Sequence, residues 1–116
     1  MNIARYIFLI FATLNLLLSA FAEQELSKQQ ILTIAMSEAY QLGYTLEDFS
    51  LLYDEDNKKW NKYLSQTGRL SKKYPLLIQR DYQSVYFSPK QNKPGPDFWI
   101  FIDRLSGKVI TIIARE

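Results

Sequence analysis

At 116 residues and 13.6 kDa the chain has room for one domain. Its 47% hydrophobic and 22% charged residues make the composition of a folded protein rather than a disordered one. Fourteen basic against twelve acidic residues leave a formal charge of +2 with no dense basic block, so a large nucleic-acid footprint has no source. Cysteine and histidine are both absent, which excludes disulfides, thiolate catalysis, Cys/His zinc sites and any imidazole base.

Met1 to Arg5 carries one positive charge, and Tyr6 to Phe21 is apolar apart from Thr13, Asn15 and Ser19. The run closes on Ala20-Phe21-Ala22, the small-x-small pattern of a signal-peptidase site. An apolar core of about 16 residues is short for a membrane span of about 20. The pattern predicts a signal peptide over residues 1–22 and a single small domain over 23–116. The alternative is an uncleaved N-terminal anchor. The absence of cysteine excludes a lipid-anchored lipoprotein. Loss of Arg5 leaves the exported domain nearly neutral. With no disulfides to support it, the domain must be held by packing, for which Tyr40, Phe49, Trp60, Tyr86, Phe87, Phe98, Trp99 and Phe101 supply large apolar area.

Ser27 with Gln30 three residues on makes a capping-box pattern ahead of Ile31, Ala35, Ala39 and Leu42, and Gly43 supplies a stop. This predicts an amphipathic helix from Lys28 to Leu42. Phe49 to Tyr53 alternates as a short strand, and Asp54-Glu55-Asp56-Asn57 ends it. Trp60, Tyr63 and Leu64, at i, i+3 and i+4, predict a short second helix ending near Gly68. Arg69 to Asp81 has no clean assignment. Tyr82 to Ser88 alternates again, and the stretch from Pro89 to Pro96 reads as a loop.

Phe98 to Asp103 and Lys108 to Ala114 are the clearest strands, joined by Asp103-Arg104-Leu105-Ser106-Gly107 as a hairpin. Pairing Asp103 with Lys108 puts Phe98, Ile100, Ile102, Val109, Thr111 and Ile113 on one face, and Trp99, Phe101, Ile110 and Ile112 on the other. Both faces are apolar. One helix covers one face, so the second needs the Trp60 helix with the Leu76 to Ile78 segment, a second protomer, or a protein partner.

Possible chemistry is sparse. The acidic run 54–57 lacks the further oxygen ligands, glycine and closing glutamate of a calcium loop, and reads instead as a solvated turn capping the next helix. Asp97 and Asp103, six apart on one strand, lie about 20 Å from each other, too far for paired glycosidic carboxylates. They suit loop closure and turn formation. No serine sits in a nucleophile elbow. Lys58, Lys59, Lys62, Lys72 and Lys73 interleave with Trp60, Tyr63 and Tyr74 as in a single-strand binder, but export argues against nucleic acid, and Lys58, Asn61 and Lys62 fall on the solvated side of their helix.

The helix segment Ile31 to Ala39 with the ending Phe98-Trp-Ile-Phe-Ile-Asp-Arg-Leu-Ser-Gly-Lys-Val-Ile110 resembles PepSY-type domains, and the ending also resembles small immunity proteins of the nuclear-transport-factor-2-like group. The insertion from Asp54 to Asp81 and the Pro89 to Pro96 loop depart from a minimal PepSY unit. The first resemblance implies inhibition or chaperoning of peptidases outside the cytoplasm, the second the blocking of a toxin. Both imply a non-catalytic binder.

The expected fold is α+β, an N-terminal helix on an antiparallel sheet of about four strands with a short inserted helix. The expected function is an exported, non-catalytic domain, periplasmic or extracellular, that binds another protein. The alternative is a homo-oligomeric envelope component. No cofactor or metal is called for, nucleic acid is not expected, and the membrane enters only through the signal peptide. The residues placed at the partner surface are Trp99, Phe101, Asp54, Asp56, Lys90 and Lys93.

Overall fold

The computed structural model describes residues 24–67 and 74–115. The expected signal peptide and the stretch 68–73 lie outside these. Helix α1 spans Lys28–Gln41. The Ser27 hydroxyl accepts from the Gln30 amide at 3.1 Å, and the Ser27 amide donates to the Gln30 side chain at 2.8 Å, so the box closes in both directions. At the far end Gly43 adopts φ +94°, its amide bonding to Tyr40 and the Tyr44 amide to Ala39. This is a Schellman stop, and it depends on a residue free to take positive φ. Leu42, expected on the inner face, is the C-cap and is exposed; Tyr40, expected in the core, is 72% exposed. Both lie where the helix runs out.

Strands β1 (Phe49–Tyr53), β2 (Tyr82–Pro89), β3 (Phe98–Asp103) and β4 (Val109–Ala114) form an antiparallel sheet in chain order, making the architecture α+β. Helix α2 spans Lys58–Thr67, entered through a tight turn at Glu55–Asn57. Pro75–Leu77, in the segment without a sequence assignment, is a single 3-10 turn beside β4. Among the described residues no helix is long and apolar enough to cross a membrane.

The sheet is buried on both sides. Toward α1, residues Ile31, Ala35 and Ala39 lie on Phe49, Val85, Phe87, Phe98, Ile100 and Ile102. The two alanines let the helix approach closely. Toward α2, Trp60 packs with Leu77, Tyr86, Trp99, Phe101 and Ile113. Trp60 is fully buried, its ring 5.2 Å from that of Trp99 and 4.7 Å from that of Phe101. Of the three covers open to the second face, the chain supplies its own, in a three-layer helix–sheet–helix stack.

The hairpin register differs from the simple pairing. Ile102 faces Val109 as expected, but Phe101 faces Thr111, which leaves Ile110 as the extra residue of a bulge. Beyond it every side chain of β4 changes face. Ile112 packs toward α1, and Ile113 joins the tryptophan cluster, the reverse of the expected assignment.

Candidate functional site

The groundwork for the site is polar. Asp54, at the end of β1, is 3% exposed, and its carboxylate accepts from the amides of Lys59 at 2.9 Å and Trp60 at 3.0 Å and from the Ser84 hydroxyl at 3.0 Å. These amides are two of the orphan donors of the first turn of α2, and the carboxylate also offsets Lys58 and Lys59 at the positive end of the helix. Asn57 completes the joint: its amide group donates to the Tyr82 carbonyl and accepts from the Ser84 amide and hydroxyl. Gln83 donates to the carbonyls of Asp54 and Ser84. Helix α2 is thus pinned at its start to β2, with its axis directed along the sheet toward the Phe98 and Ala114 end.

That placement aligns Lys59, Lys62, Tyr63 and Gln66 on one helical stripe, at i, i+3, i+4 and i+7, facing Trp99 of β3 and Arg115 beyond β4. Together these six residues line a cavity of about 200 Å³. The Lys59 ammonium lies 4.6 Å from the centre of the Tyr86 ring, and the Arg115 guanidinium 5.9 Å from that of Tyr63. Asp97 lies 3.6 Å from Arg115 and accepts the Tyr86 hydroxyl. Burial first, and then this bond to a carboxylate, hold the Tyr86 phenol above its ordinary pKa. Among the described residues Lys59 and Lys62 have no carboxylate partner, and the buried indole nitrogens of Trp60 and Trp99 have no hydrogen-bond partner.

The six residues placed at a partner surface from sequence do not converge. Trp99 and Phe101 are 1% and 0% exposed beneath α2, so they present no exposed aromatic surface, although Trp99 forms the floor of the cavity. Asp54 belongs to a buried cap rather than a solvated turn. Asp56 is exposed in the same turn at φ +54°. Lys90 and Lys93 sit at the opposite end of the sheet, because β1 pairs Phe49 with Pro89 and Tyr53 with Val85. There the Lys90 amide bonds to the Asp48 carbonyl at 2.8 Å, and the Lys93 ammonium lies 3.5 Å from the Asp48 carboxylate.

Lys59 and Lys62 were legible only as part of a lysine and aromatic mixture, with Lys62 on a solvated helix face, and Gln66 and Arg115 carried no signal. The i, i+3, i+4, i+7 spacing could have supplied the first of these, whereas nothing local relates Arg115 to a helix some fifty positions earlier. Among the described residues no group of acidic side chains is arranged to hold a metal ion. The chain matches no protein-family model, no curated protein and no solved structure, so its own geometry carries the functional argument.

Proposed function

We propose that this chain is a small exported, non-catalytic domain that binds another protein, in the manner of a peptidase inhibitor or an immunity protein. The observation that carries the reading is how three of its carboxylates, Asp54, Asp97 and Asp103, are used. Asp54 caps α2, Asp97 holds Tyr86 and Arg115, and Asp103 accepts from the amides of Leu105 at 2.9 Å and Ser106 at 2.8 Å, while among the described residues Lys59 and Lys62 on the α2 face have no carboxylate partner. A hydrolase would need such carboxylates free to move protons. The leader-like N-terminus and the resemblance to PepSY-type and immunity proteins support the same reading.

The test is to express the chain with its own leader and a C-terminal tag, place a photocrosslinking residue at Gln66 or at Thr33 on α1, and identify the products by mass spectrometry. A chain starting at Glu23, with one protein crosslinked from Gln66 and not from Thr33, is the expected result. Recovery of the processed chain alone refutes the reading.

One observation favours the second reading, a homo-oligomer: β4 ends the sheet, and its Val109, Ile110 and Ile112 are only half-buried, with no proline or charge from 109 to 114. Light scattering separates the two, since only self-association requires a stable dimer without any partner.

A further inference from the structure

We propose that the cavity between α2 and the Trp99 end of the sheet is a carboxylate site, filled by an acidic residue of the partner protein. The proposal rests on the protein-binding reading above and names the chemistry that its surface recognises.

The argument begins with charge. Among the described residues three cations, Lys59, Lys62 and Arg115, line the cavity, and no anion does. In a chain whose formal charge is +2, with acidic residues distributed from Glu23 to Glu116, this concentration is not a by-product of basic composition. Like charges brought to one helix stripe repel one another unless an anion lies between them. Arg115 has Asp97 nearby, but at 3.6 Å and already engaged by Tyr86, so its guanidinium keeps donors to offer.

Size and walls narrow the occupant. A cavity of about 200 Å³ is smaller than the roughly 300–1,000 Å³ of drug-sized ligand pockets, so it suits one residue-sized group. The Tyr63 ring gives a flat apolar wall, above a floor formed by Trp99, for the methylenes of a glutamate. Two other depressions lie on the α1 side, along Tyr40 to Glu47 and between Leu26, Ile34 and Gly107; among the described residues neither is lined by a cation.

The experiment is a titration of ¹⁵N-labelled protein with capped Gly-Gly-Glu-Gly-Gly, its Gln counterpart, and sodium phenylacetate, followed by proton–nitrogen NMR at the Trp99 indole and the Lys62 and Gln66 amides. The Glu peptide should give saturable shifts that weaken as NaCl rises, and the Gln peptide should give none. Lys62→Glu and Arg115→Gln, both at exposed positions, should each weaken binding at least tenfold, and Lys108→Glu at the other end of the sheet should leave it unchanged.

Equal responses to the Glu and Gln peptides, or unaltered binding in both pocket variants, overturns the proposal. Phenylacetate binding more tightly than the Glu peptide overturns the protein source of the carboxylate in favour of a small acid. A partner crosslinked from Gln66 as strongly in Lys62→Glu as in the unaltered chain leaves protein binding intact and removes the carboxylate site.

Discussion

The carboxylate of Asp54 accepts the backbone amide of Trp60 at 3.0 Å, so the residue that ends β1 also seats the side chain that roofs the second face of the sheet. Cap and core are coupled through six positions of sequence. Asp54→Ala leaves the amides of Lys59 and Trp60 without their acceptor, while the Ser84 hydroxyl keeps Asn57, and should cost about 2 kcal/mol. Thermal unfolding should show a midpoint lower by roughly 10 °C for a domain of this size. Millimolar calcium should leave the midpoint of the unaltered chain in place, because both oxygens of Asp54 are already bonded.

Trp60→Ala uncovers Trp99 and Phe101 and should cost about 3–5 kcal/mol. Urea denaturation measures the loss, and binding of a hydrophobic dye should rise in parallel. Trp60→Phe keeps the ring contacts and removes a buried indole N–H that lacks an acceptor among the described residues, so it should cost much less. Equal losses in the two variants would show that packing at this position is not what closes the second face.

Gly107 closes the hairpin at φ +75°, and a β-carbon there would lie 3.0 Å from the Ile34 side chain and 3.1 Å from that of Leu26. The backbone conformation demands glycine, and a β-carbon would also press on these two side-chain ends. Gly107→Ala should destabilise by about 1–3 kcal/mol, with its amide-proton exchange fastest in β4. Gly43→Ala meets no neighbour and should cost less, since only the conformation is affected.

Stability should fall at both pH extremes, for opposite reasons. The amides of Ser106 and Leu105 hold the Asp103 carboxyl below its ordinary 3.8, so the folded state binds the proton less readily than the unfolded one. The contribution is present above about pH 4 and is lost as pH falls through the lower folded value. Tyr86 is shifted upward, chiefly by burial, so its contribution is present below about pH 10 and is lost as pH climbs past the raised folded value. Unfolding followed across pH should show Asp103→Asn flattening the acid limb and Tyr86→Phe flattening the alkaline limb.

Much of the architecture was written locally. The Ser27 and Gln30 box, the Gly43 stop and the turn from Asp103 to Gly107 each act within about five residues, where a side chain finds its backbone partner or a backbone angle demands glycine. The unbroken apolar run of β3, Phe-Trp-Ile-Phe-Ile, announced a strand buried on both sides. The absence of cysteine and histidine by itself excludes disulfides, thiolate catalysis and any imidazole base.

What the tertiary structure decided was everything that depends on which distant groups meet. The bulge at Ile110 exchanged the faces of Ile112 and Ile113, because two apolar layers compete for β4 and local alternation does not distinguish them. Asp54 read as solvated until β2 brought Ser84 to it and α2 turned its amides inward. Trp99 read as an exposed contact until α2 covered it. The cavity joins Lys59, Lys62, Trp99 and Arg115 only because the Asp54 cap fixes the start of α2 and the sheet carries the end of β4 to its side.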